Sequence, residues 1–217
     1  EYRQMYSEHS ENEQHYYACI TAMDEQIGRL RAELKTLGVA NNTMLWFCSD
    51  NGPARQGSPR HVGSTKHLSG FKLSIREGGI RVPGLLVWPG VVTEARTISA
   101  PCVTSDYFPT ILNALDIPLA PDRQYDGISL LPLIRGERQS RNKAIGFLNE
   151  NGSQAVWMED RYKMIMNKDT VKLYDIPLDE GEKYDLAGTL PEVTARMQKE
   201  LTNWKQGVMQ ELSEISD

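Results

Sequence analysis

The chain has 217 residues, enough for one sizeable core or for a core with a small attached subdomain. With 40% hydrophobic and 24% charged residues it has the mix of a soluble globular protein, and a net charge of −5 argues against a nucleic-acid partner. No apolar run approaches the ~20 residues of a membrane-spanning helix. The polar start EYRQMYSEHSENEQ contains no signal peptide and reads as a cut chain. Cys19, Cys48 and Cys102 fit no metal spacing, and their odd number argues against a disulfide framework. Cys19 and Cys48 are expected as small buried hydrophobes. Asn41-Asn42-Thr43 and Asn151-Gly152-Ser153 match the glycosylation triplet, which arises often by chance.

In chain order, the spacing predicts a helix over 15–37. Ile20, Met23, Ile27, Leu30, Leu34 and Leu37 form one stripe, and Gly38 stands as its C-cap. Thr43 to Cys48, TMLWFC, is apolar without alternation, the pattern of a strand covered on both faces in a parallel sheet. An α/β unit therefore opens the chain. Residues 49–81 form a long loop in which Arg55, Arg60, Lys66, Lys72, Arg76 and Arg81 outnumber Asp50 and Glu77. Long loops in compact domains tend to be functional or disordered, and the framing glycines and prolines favour defined turns here. Glu77-Gly78-Gly79 is expected as a turn using positive φ, with Arg81 paired to Glu77 or another carboxylate.

A strand over Val82–Trp88 follows. Thr104-Ser105-Asp106 then offers N-caps for a helix whose apolar face is Phe108, Ile111, Leu112 and Leu115. From about residue 141 the texture changes. AIGFL, QAVWM, YKMIM and VKLYD read as short antiparallel strands, with a hairpin turn at Glu159-Asp160. A last helix starts near Pro191 and buries Val193, Met197, Leu201, Trp204, Val208 and Leu212. The organisation is an α/β portion over 1–140 and an antiparallel subdomain with a terminal helix over 141–217.

Asp50 and Asn51 carry the first chemistry. They end the TMLWFC strand, and in open α/β sheets ligands sit outside the carboxyl ends of strands. Carboxylate and amide oxygens suit Ca²⁺ or Mg²⁺, yet two ligands fall short of the six to eight that Ca²⁺ takes. Asn-Gly is equally a turn signal, so a half metal site and a plain turn both stand. Lys72, on a glycine-flanked loop, could hold an anion's oxygens as a point charge, or simply face solvent. Arg60, His61 and His67 could add anion contacts. The acidic run DIPLDEGEKYD lacks the ligand alternation of an EF-hand and reads as a solvated loop. No Gly-x-Ser-x-Gly elbow supplies a nucleophile.

Taken in order, YYACITAMDEQIGRL, FCSDNGP, SGFK and EGGIRVPGLLVWPG resemble successive segments of the type I sulfatases of the alkaline-phosphatase-like superfamily. DYFPTILNALDI, YDGISLLPLIRG and KLYDIPLDEGEKYDLAG resemble later landmarks of that family. The resemblance covers nearly the whole chain. It implies part of an alkaline-phosphatase-like sheet flanked by helices. It also implies that Asp50 and Asn51 are ligands of a divalent metal, usually Ca²⁺, and that Lys72 contacts a sulfate ester. The family nucleophile, a formylglycine in Cys/Ser-x-Pro-x-Arg, is not found at any of the three cysteines. Asn51-Gly52-Pro53-Ala54-Arg55 has that Pro and Arg spacing with Asn in the nucleophile's place.

The resemblance is thus to the C-terminal half of a sulfatase, with the nucleophile in an N-terminal half and the fragment inactive alone. It further implies a sulfate-ester small molecule or sulfated glycan as substrate, and export to periplasm, lysosome or medium. A phosphate or phosphonate ester hydrolase of the same superfamily, or a non-catalytic anion-binding relative, are the competing readings.

Overall fold

The structure, a computed structural model, describes residues 1–54, 62–149 and 152–216. Helix α1, Glu11–Thr36, starts at Ser10, whose N–H and Oγ reach the Glu13 carboxylate at 3.0 and 2.6 Å. It stops at Gly38, left-handed at φ +71°, with the Val39 N–H returning to the Leu34 carbonyl at 3.1 Å. A short 3-10 turn, Tyr2–Tyr6, packs alongside, its Tyr6 hydroxyl bonded to Thr21 at 2.6 Å. Of α1, Ala18 is buried, while Ile20, Met23, Leu30 and Leu37 lie open. Cys19 is exposed rather than buried.

Strand β1, Leu45–Cys48, pairs with β2, Gly84–Val87, and the pairing is antiparallel, Leu45 facing Val87 and Cys48 facing Gly84. The apolar run had suggested parallel neighbours. The link from β1 to β2 holds a loop and the one-turn helix α2, Glu77–Ile80, with no long crossover helix described between them. Trp46 and Leu86, opposite in register, pack with Trp88, Val91 and Val92 on Leu130, Leu133 and Ile134. The last two belong to α4, Leu131–Arg135.

Helix α3, Tyr107–Ala114, buries Pro109 and Thr110; of the expected apolar face Leu112 is half-buried, while Phe108, Ile111 and the C-cap Leu115 are exposed. The reason is polar. Asp106, fully buried, accepts the Val103 and Ile128 N–H groups at 2.9 and 2.8 Å and takes Arg141 bidentately at 2.6 and 2.9 Å. Thr110 Oγ1 accepts the Leu130 N–H at 2.8 Å. These bonds, not an apolar stripe, orient α3 toward α4.

The C-terminal sheet is a meander, β3 (Ile145–Leu148), β4 (Gln154–Glu159), β5 (Tyr162–Asn167) and β6 (Thr170–Asp175), antiparallel throughout. The expected β4–β5 hairpin forms, but it turns at Asp160-Arg161, one residue later than expected, because Glu159 still pairs with Tyr162. Alternation gives the sheet two working faces. Ala155, Met164, Met166 and Leu173 meet Met197 and Leu201 of α5, Pro191–Ser216. Burying each of those two α5 side chains contributes about 1.5–3 kcal/mol. The other face, Val156, Ile165 and Tyr174, packs on Ile75 from the long basic loop. That second face carries the mount of the candidate site. Among the described residues no helix is long and apolar enough to cross a membrane.

Candidate functional site

Two chain segments meet at the tip of β1. Immediately after Cys48 the apolar run ends, and Ser49 Oγ bonds the Asn51 carbonyl at 3.0 Å. The Gly52 N–H then donates to the Gly79 carbonyl at 2.8 Å, and the Lys72 N–H to the Pro53 carbonyl at 2.9 Å. These two backbone bonds place the Lys72 loop beside the Asp50-Asn51 tip. Gly52 must be glycine for this: a Cβ there would sit 1.8 Å from the Gly78 oxygen. Gly78 and Gly79 are likewise glycines because of close approach, their Cβ positions falling 2.4 Å from the Gly70 oxygen and 2.0 Å from the Ser74 oxygen. Neither has positive φ, so the expected left-handed turn is instead the tight helix α2.

Asp50 and Lys72 are exposed and Asn51 is half-buried. Among the described residues, neither Asp50 nor Lys72 has an ion-pair partner. Among the described residues, the Asp50 oxygens and the Lys72 ammonium therefore stand without a counter-charge on adjoining segments. Asp50 and Asn51 offer the hard oxygens that a Ca²⁺ or Mg²⁺ ion takes, so they fit such an ion in chemistry. They fall short in number, and the described residues hold no cluster of three or more His, Cys, Asp or Glu placed to bind a metal. Burial first, and the neighbouring half-buried Cys48 second, push the Tyr107 phenol up to about 12.

His67 is engaged by a carboxylate, its Nε2 2.5 Å from Glu180. Arg81 reaches Glu180 at 3.0 Å and Glu77 at 3.8 Å, the carboxylate pairing expected of it. Hydrogen bonds from His67 and then Arg81 hold the Glu180 carboxyl below its ordinary range. His61 and Arg60 lie outside the described residues.

DIPLDEGEKYD is only partly a solvated loop: Leu178, Lys183, Tyr184 and Asp185 are exposed, but Asp175 and Glu182 are buried. Asp179 caps the Lys183 and Tyr184 N–H groups at 2.8 Å each, and Asp185 accepts the Leu173 N–H at 3.1 Å. Glu182 is buried, and with Glu77 it flanks the ammonium of Lys163, which is itself fully buried on β5. Charge counting along the sequence missed this cluster, because its members lie far apart in the chain. One signal was there: a lysine in the otherwise apolar strand YKMIM, where period-2 alternation puts its side chain on a covered face.

A profile of the family described as Sulfatase matches residues 1–117, more than half of the chain. The chain belongs to the sulfatase family. The steryl-sulfatase of Rattus norvegicus is 38% identical over 128 residues, 57% of this sulfatase chain and 22% of that protein. A solved structure, Ps i-CgsB in complex with k-i-k-neocarrahexaose, superposes with a TM-score of 0.80 at 26% identity, covering 91% of this chain and 44% of that one. The phosphonate monoester hydrolase of Agrobacterium radiobacter shares the fold, with a TM-score of 0.63 at 24% identity over 90% of this chain and 41% of its own. The sulfatase chain thus spans about a fifth of the curated relatives' length and under half of the solved ones. The mixed α/β architecture, alkaline-phosphatase-like, matches the expected fold class.

Proposed function

We propose that, in the whole protein, this chain supplies part of the divalent-metal site and the anion-binding lysine of a sulfuric ester hydrolase. The observation that carries the reading is the pair of backbone bonds, Gly52 to Gly79 and Lys72 to Pro53, that brings the Lys72 loop to the Asp50-Asn51 tip. In this reading Asp50 and Asn51 hold a Ca²⁺ or Mg²⁺ ion. When bound, the ion would polarise the ester's oxygens as a Lewis acid. Lys72 offsets the negative charge that grows on those oxygens as the sulfur–oxygen bond breaks. Its exposed position leaves the ammonium open to an incoming anion. The nucleophile and the remaining ligands come from the additional length that the relatives possess, so the chain alone is not expected to turn over. The substrate is a sulfate ester, a small molecule or a sulfated glycan; the oligosaccharide held by the solved relative supports the second. Export belongs to the same reading, and secretion of the tagged whole protein tests it.

The test is Lys72→Ala in the whole protein, assayed on an aryl sulfate. Turnover is expected to fall about 10²–10³-fold, the scale of losing one charge-stabilising donor, with the fold unchanged by circular dichroism. Activity within twofold of wild type would remove Lys72 from the site. The fold shared with a phosphonate monoester hydrolase favours one competing reading, hydrolysis of phosphonate or phosphate esters. Faster turnover of a phosphonate monoester than of the matched sulfate would select it.

A further inference from the structure

The segment that carries Lys72 is gripped at both ends by one carboxylate. Glu182 Oε2 accepts a hydrogen bond from Ser69 Oγ, three residues before Lys72, and one from the Glu77 N–H at 3.0 Å, five residues after it. The Gly78 N–H returns to the Ser69 carbonyl at 2.7 Å and closes the segment into a loop. Glu182 is itself fixed. Its Oε1 lies 2.9 Å from Lys163 Nζ, and the same ammonium bonds Glu77 Oε1 at 2.7 Å. Lys163 is 0%, Glu77 2% and Glu182 5% exposed, so water does not compete for these bonds.

A buried charge cluster is a poor choice for fastening two surfaces, since apolar side chains of equal volume often hold as well or better. What it adds is direction: Glu182 Oε2 accepts from Ser69 and the Glu77 N–H, and Glu77 Oε1 from Lys163, along fixed lone pairs, while Lys163 and Glu182 Oε1 form a close ion pair without hydrogen-bond geometry. Direction is what this loop requires. Leu73, next to Lys72, is held at φ +73° and Gly70 at φ +80°. A non-glycine residue keeps such a conformation only where its surroundings over-determine it.

We infer that Lys163 and Glu182 are positioning residues for Lys72: the antiparallel subdomain sets where the anion-binding ammonium stands relative to the β1 tip. This rests on the assignment of Lys72 made above. Ile75 against Val156, Ile165 and Tyr174 supplies the apolar seat, and the charge cluster supplies the register.

The test is a coupling measurement in the whole protein. Ser69→Ala, Glu182→Gln and Lys163→Met are each made in the wild-type and Lys72→Ala backgrounds, and kcat and KM are read on an aryl sulfate. In the wild-type background each is expected to lower kcat about 10-fold or more, the scale of a small misplacement. In the Lys72→Ala background the further loss should be under about 2-fold, since residues acting through one group do not add. Equal fractional losses in both backgrounds, or no loss in either, would overturn the inference and leave Lys72 in place. If Lys72→Ala itself costs nothing, the underlying assignment fails instead. Ser69→Ala removes only one hydroxyl, so it decides the question even where Lys163→Met does not fold.

Discussion

Replacing Gly52 by alanine perturbs the junction of the two site segments and little else. The added methyl would lie 1.8 Å from the Gly78 oxygen and 2.8 Å from the Gly78 carbonyl carbon. Ordinary carbon–oxygen contacts begin at about 3.3 Å, so α2 and the loop must retreat by about 1.5 Å. Both atoms in conflict are backbone, which no rotamer change relieves. Overpacking of this kind costs about 1–3 kcal/mol, and loss of the Gly52–Gly79 hydrogen bond adds about 0.5–1.5 kcal/mol. The whole protein should therefore lose about 2–4 kcal/mol in urea unfolding. Its turnover of an aryl sulfate should fall about 100-fold, because displacement of about 1 Å is enough for that. Gly207→Ala, in α5 with no heavy atom within 4 Å of the new methyl, is the control and should keep wild-type turnover. Gly52→Ala turnover within threefold of wild type would mean that the junction does not govern the site.

Two further outcomes test the scaffold. Arg141→Ala leaves the fully buried Asp106 carboxylate without its cation and should destabilise the protein by about 3–5 kcal/mol in urea; a loss under 1 kcal/mol would show that water or another cation takes Arg141's place. Tyr107, pushed up to about 12 by burial and Cys48, should ionise last among the tyrosines in an absorbance titration. Its raised folded value means that its contribution to stability is whole below about pH 10, the unfolded value, and is lost as pH rises from there through about 12. Cys48→Ala should shift that phenol downward, and an unchanged titration would deny Cys48 a share in the shift.

The fold was legible where one periodicity governs one element. Helix α5 reads directly from Met197 and Leu201, and the β4–β5 hairpin from two short apolar runs around Asp160, though its turn lies one residue past the expected place. The β1 tip was legible as a break in hydropathy. Strand direction was not, because four half-buried residues look the same beside a parallel or an antiparallel neighbour. The orientation of α3 was hidden for a different reason. Its apolar residues suggest one face, while Asp106 and Arg141, 35 positions apart, impose another. The mount of Lys72 was least legible. Glu77, Lys163 and Glu182 are charged residues on three separate elements, and only tertiary packing turns them from surface charges into a buried cluster. Glycines 52, 78 and 79 looked like flexible turn residues but are there to let backbone meet backbone.

The central claim is that Asp50 and Asn51 hold a divalent cation beside Lys72. Calcium titration of the metal-stripped whole protein by calorimetry, wild type against Asp50→Ala, tests it most directly. The account expects at least about a 10-fold loss of affinity, since even residues behind a ligand cost that much, with the aryl-sulfate activity falling alongside. Calcium affinity equal to wild type would contradict it and make Asp50-Asn51 a turn at the end of a strand.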